Sequence, residues 1–147
     1  MQHVHIQKTI NVPVERGFAA WTEAEHLSRW FTTRAEIEAR VGGTYSNGDG
    51  DRGEFLIVHP NTHLRFTWEN PEHSPGTLVD IEFREAGEGR HSLHLTHSGL
   101  ETEEAIKGMG TGWRWALTSL QSYLETGKGI PYAEWEQKEM SPQQELL

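Results

Sequence analysis

Between Ile106 and Leu124 the apolar residues Ile106, Met109, Trp113, Leu117, Leu120 and Leu124 recur at three- and four-residue steps. This is the stripe of one long amphipathic helix. Thr102 can cap it, Glu103 and Glu104 suit its positive end, and Gly127 suits its stop. At 1.5 Å per residue, ~24 residues span ~36 Å, enough to cover a whole sheet face. The upstream chain therefore has to supply that sheet.

Upstream, alternation dominates. Val4, Ile6 and Ile10 share one parity and His3, His5, Gln7 and Thr9 the other, with Lys8 breaking the apolar set, so a strand is predicted over His3 to Ile10. Pro13 then suits the first turn of a helix carrying Val14, Phe18 and Trp21. Thr22 and Glu25 have capping-box spacing, which predicts a second short helix to about Phe31 that buries Leu27, Trp30 and Phe31.

Further strands follow. One is read over Ala35 to Tyr45, with a bulge or sharp bend at Gly42-Gly43. Asn47-Gly48-Asp49-Gly50 is a hairpin signal. Phe55 to His59 is a strand turned by Pro60-Asn61. Leu64, Phe66 and Trp68, then Val79, Ile81 and Phe83, then Leu93, Leu95 and His97 mark three more. A loop is read over Asn70 to Gly76 and a turn over Ala86 to Gly89. Short connections argue an antiparallel meander.

The expected fold is therefore α+β. A curved antiparallel sheet of about six or seven strands wraps around the long C-terminal helix, with two short helices after the first strand. A single domain over residues 1–127 is expected, with a polar tail over 128–147. In that tail Ile130, Tyr132 and Trp135 are expected to dock on the body, and the last few residues to be disordered.

Composition narrows the function. With no cysteine there is no disulfide framework, no zinc-thiolate site and no thiol nucleophile. A net charge of -9 disfavours a phosphate backbone as partner, so no nucleic-acid binding is expected. No apolar run is long enough for a membrane span, and Met1 to His5 does not begin a secretory signal, so a cytoplasmic location is expected.

Several segments, in order, resemble a known family. They are Ile10-Asn11-Val12-Pro13-Val14-Glu15-Arg16-Gly17-Phe18, Trp21-Thr22-Glu23, Leu27 and Trp30-Phe31. Glu38 to Gly43, Leu95 to Leu100, Gly112-Trp113, Leu117 and Leu120 continue the match. Together they resemble the Aha-type homologues, similar to the C-terminal domain of the heat-shock-protein-90 ATPase activator. That family lies in the SRPBCC superfamily of START-like and birch-pollen-allergen-like (Bet v 1-like) helix-grip proteins. The resemblance runs from residue 3 to about 126. It implies the helix-grip fold, but members of the superfamily include lipid and polyketide binders, cyclases, resistance proteins and chaperone or stress regulators. The eukaryotic activators carry a separate N-terminal domain that is not seen here, so chaperone regulation is expected only as an alternative. The resemblance supplies no catalytic residue.

Nine histidines raise the question of a metal. His91, His94 and His97 are spaced by three, which places His94 on the opposite strand face, and His91 and His97 lie about 20 Å apart at ~3.3 Å per residue. His3, His5 and His94 approach one another only if the first and last strands pair. No metal and no cofactor are expected. His97 should point inward, either anchoring a ligand or, the favoured reading, bonding loop backbone. Glu38 and Arg40 read as a solvated cross-strand ion pair rather than a ligand-binding pair.

No G-x-S-x-G elbow, H-E-x-x-H or P-loop is present, so binding rather than catalysis is expected. The leading expectation is a cavity between sheet and helix for a hydrophobic or aromatic small molecule, lipid- or polyketide-like. Its lining is predicted as Trp30, Phe31, Phe55, Trp68, Phe83, His97, Met109, Trp113, Ala116 and Leu117. Gly108, Gly110 and Gly112 read as a gate in the helix or as a break between two helices. The alternatives are a cyclase or hydrolase in the same cavity, or a protein-interaction regulator with a second copy or a chaperone as partner.

Overall fold

Alternation becomes a seven-stranded, wholly antiparallel sheet. The computed structural model describes residues 2–32, 34–70 and 76–145. The strands are β1 (Gln2–Ile10), β2 (Ala35–Ile37), β3 (Thr44–Asn47), β4 (Arg52–His59), β5 (His63–Trp68), β6 (Thr77–Glu85) and β7 (His91–Leu100). The helices are α1 (Val14–Thr22), α2 (Ala24–Trp30), α3 (Glu103–Thr126) and α4 (Tyr132–Glu145). Strand order is β1-β7-β6-β5-β4-β3-β2, so the first strand pairs the last and the two short helices carry the chain to the opposite edge. This is the helix-grip architecture expected.

The inward parity of each strand is buried as the alternation demanded. Leu64, Val79, Ile81, Leu93 and Leu95 are fully buried, and Phe66, Trp68 and Phe83 nearly so. From α3, Trp113, Ala116, Leu117, Leu120 and Leu124 close the same core. A register shift between Phe55 and Ile57 leaves Leu56 outside, bending β4 without turning Phe55 out of the core.

α3 runs unbroken through Gly108, Gly110 and Gly112, so the reading of two helices separated there is wrong. Thr102 accepts from the Ala105 amide at 3.0 Å, and Gly127 ends the helix at φ 90, a left-handed conformation that glycine takes without a Cβ clash.

Three local expectations are corrected, and a fourth, docking of the tail on the body, agrees with the structure. Thr22 and Glu25 form no capping box: Thr22 is the last residue of α1, and its hydroxyl donates to Phe18 O at 3.0 Å. Ala35 to Tyr45 is two strands, because Gly42 at φ 83 reverses the chain. Glu38 and Arg40 pair at 3.2 Å in that loop, both exposed, rather than across strands. The tail carries α4, entered after Ile130, whose carbonyl accepts from Trp115 Nε1 at 2.6 Å. Tyr132 packs edge-on against Trp115, and Trp135 is buried. The loop expected between Asn70 and Gly76 falls mostly on 71–75, and part of the expected terminal disorder on 146–147, outside the described residues.

Candidate ligand site

Where α3 diverges from the strands, an open-mouthed cavity of about 180 Å³ remains. Four elements wall it. Phe31 comes from the end of α2, Asp49 and Asp51 from the β3–β4 turn, Trp68 and Asn70 from the end of β5, and Met109, Gly112, Trp113 and Trp115 from α3. An adjoining cleft of about 400 Å³ shares Phe31, Asp49 and Trp115, and continues along Trp30, Ser119 and the 129–132 segment.

The aromatic walls are mutually oriented. Phe31 lies parallel to Trp113 (3°, centroids 5.9 Å) and nearly parallel to Trp115 (22°, 6.0 Å). Trp68 leans on Trp113 at 5.3 Å and stacks on Tyr45 at 5.9 Å. Such offset and edge arrangements suit the quadrupoles of the rings.

Beneath the walls runs a buried chain of hydrogen bonds. Trp113 Nε1–H donates to His97 Nδ1 at 2.9 Å, and Thr77 Oγ1–H donates to Trp68 O at 2.8 Å. The remaining 2.7 Å contact must then be His97 Nε2–H donating to Thr77 Oγ1, which fixes a neutral Nε2–H tautomer. Burial brings the His97 pKa down to about 4.

The acidic rim is held by amides. The bridge from Arg52, the first residue of β4, to Glu69, just past the end of β5, sets Asp51 beside Asn70. Asn70 Nδ2 donates to Asp51 Oδ1 at 2.9 Å and Asn47 Nδ2 to Asp51 Oδ2 at 3.1 Å. Asn47 Oδ1 accepts from the Asp49 and Asp51 amides at 2.9 and 3.1 Å. Burial, reinforced by Asp51, pushes the Tyr45 phenol far above its usual range.

The ten residues expected to line a site divide. Phe31, Trp68, Met109 and Trp113 meet at the cavity. Trp30 borders only the adjoining cleft and donates its Nε1–H to Ala20 O at 2.9 Å. Phe55, Ala116 and Leu117 are packed in the core, and Phe83 lies against Phe18 and His91. His97 sits under the wall with both ring nitrogens engaged by side chains, not by loop backbone. Trp115, Asp49, Asp51, Asn70 and Gly112 were not anticipated. The usable signal was Trp115, a tryptophan two positions off the apolar stripe that needs cover of its own. His5 and His94 do approach across the β1–β7 pairing, with ring centroids 6.2 Å apart, but no group of three metal-binding side chains forms among the described residues.

Comparison with known proteins agrees with this architecture. The family model described as activator of Hsp90 ATPase homolog 1-like protein matches residues 11–125. The chain belongs to that family. No curated protein matched. Among solved structures, CalU16 from Micromonospora echinospora is 25% identical with a TM-score of 0.77, over 88% of this chain and 77% of that one. The Aha1 dimer of Colwellia psychrerythraea is 28% identical with a TM-score of 0.75, over 88% and 100%. PFC0360w, an HSP90 activator from Plasmodium falciparum, is 23% identical with a TM-score of 0.76, over 87% and 98%, and speaks to the fold alone.

Proposed function

We propose that this protein is a binding module for a flat aromatic small molecule, held between Phe31, Trp68, Trp113 and Trp115. The observation that carries this reading is the aromatic cavity, walled by stacked rings and left open by Gly112. Its size refines the ligand. An apolar cavity of roughly 150 Å³ accepts benzene, so about 180 Å³ suits one ring, and the adjoining cleft gives room for the remainder of a larger molecule. A lipid chain fits less well, because Trp21, Trp30, Phe66 and Trp113 fill the deep space between sheet and helix.

The alternative is a chaperone-related regulator, favoured by the family and by the Colwellia relative. The test is a titration of one- to three-ring aromatics followed by tryptophan fluorescence, with wild type and Gly112→Leu. Saturable binding lost in the variant supports the module. Binding unchanged by Gly112→Leu would place any ligand elsewhere and move the regulator reading to first place.

A further inference from the structure

We propose that the ligand carries a cationic ammonium group, with Asp49 and Asp51 as its countercharge and the indole faces as its cage. This rests on the reading of the cavity as a ligand site and adds the chemistry of the ligand's head group.

Asp51 carries the argument furthest. It is only 9% exposed and lines the cavity, yet no described lysine, arginine or histidine pairs with it. Its two oxygens each take one bond from a neutral amide, whereas a carboxylate offers about four lone-pair sites. Buried charges are as a rule paired, and here the open side of the pair is the cavity.

Asp49 repeats the pattern at the junction with the adjoining cleft. Among the described residues its carboxylate takes only a 3.3 Å bond from the Thr32 hydroxyl. The neighbouring arginines are engaged elsewhere: Arg29 with Glu25, Arg34 with Glu36 and Arg52 with Glu69. Among the described residues the inner cavity has no basic residue in its lining, and the chain carries a net charge of -9. Such a field draws cations and repels anions.

The walls complete the chemistry. Trp68, Trp113, Trp115 and Phe31 line the space the carboxylates border. A cation over such faces is attracted by the ring quadrupole, most strongly over tryptophan and when water is excluded. A neutral aromatic ligand would use the walls and waste the carboxylates; an anionic one would be opposed by them. An ammonium on an apolar body uses both.

The test compares phenyltrimethylammonium, its neutral isostere tert-butylbenzene, and benzoate, by tryptophan fluorescence and thermal shift. The proteins are wild type, Asp49→Asn, Asp51→Asn and Gly112→Leu. Wild type should prefer the cation over the isostere by roughly tenfold or more, with benzoate weakest. Asp49→Asn should remove most of that preference. Because Asp49 is exposed, this variant should fold normally even if Asp51→Asn loosens its turn. Equal binding of cation and isostere, or a preference untouched by Asp49→Asn, overturns the cation while leaving the aromatic site standing if Gly112→Leu still abolishes binding. No binding of either probe overturns both.

Discussion

Trp113 and His97 are joined by a 2.9 Å hydrogen bond, the indole N–H donating to Nδ1 of a histidine with no solvent exposure. The same tryptophan forms one wall of the cavity, so the wall is fixed from beneath by a group that water does not reach. His97 is in turn fixed by Thr77, whose hydroxyl reaches the Trp68 carbonyl. Two walls on different elements therefore share one polar anchor.

That anchor should make stability depend on pH. The folded His97 pKa of about 4 lies below the unfolded value of about 6.5, so the unfolded chain binds more protons between them. The contribution of neutral His97, about 3 kcal/mol, should be complete above pH 6.5 and lost as pH falls toward 4. Urea unfolding of wild type and His97→Gln over that range should show a shallower slope in the variant. Parallel slopes would mean that His97 titrates normally.

Gly112 offers a substitution whose two effects point in opposite directions. A Cβ there meets nothing within 4 Å and enters the cavity side of α3. Gly112→Ala should stabilise the protein by about 0.5–1 kcal/mol through helix propensity. It should also weaken aromatic ligands by narrowing the cavity. Thermal unfolding and fluorescence titration of the same variant separate the two effects.

The core should respond to change in either direction. Trp113→Ala should cost about 3–5 kcal/mol. Ala116, one helical turn from Trp113 but with no exposed surface, belongs to packed core rather than to the cavity. Ala116→Phe should therefore cost at least about 1–3 kcal/mol by overpacking, measured in the protein without ligand. A neutral outcome for Ala116→Phe would reveal space that the packing denies.

Ser119 ties three segments together. Its hydroxyl donates to Trp30 O at 2.6 Å and accepts from the Ile130 amide at 2.9 Å. Ser119→Ala should cost about 1–3 kcal/mol by leaving a buried carbonyl and a half-buried amide unpaired. Exchange of the Ile130 amide should accelerate far more than that of amides in the sheet, since Gly129 packs directly on the end of α2.

The sheet and α3 were legible because burial there follows a simple period. Leu64, Phe66 and Trp68 are buried at every second residue, and Leu117, Leu120 and Leu124 at every third or fourth. A third of the cavity lining could be read the same way, since Trp68, Met109 and Trp113 lie on those apolar sets. Asp49, Asp51 and Asn70 escaped notice because asparagine, aspartate and glycine are also ordinary turn formers. Nothing local says that this turn borders a cavity; only the bridge from Arg52 to Glu69 places it there. Phe83 and Ala116 erred the other way, being inward-facing but remote from the point where helix and sheet part. The Gly-rich stretch of α3 suggested a break because propensity was weighed without packing. Gly110 is buried near Val4, on the face that α3 turns to the sheet.

The pairing of the first strand with the last sets a schedule for folding. Gln2 lies opposite Leu100 and Ile10 opposite His91, so β1 has no strand partner until nearly a hundred residues have followed it. Contacts of such long sequence separation are entropically late and slow to form. On a growing chain, β1 waits unpaired for a segment made long after it, and the strip of β1 that α3 covers stays bare until the helix is complete. Synthesis is thus a vulnerable moment, when the first of these strands to be made is the last to be paired.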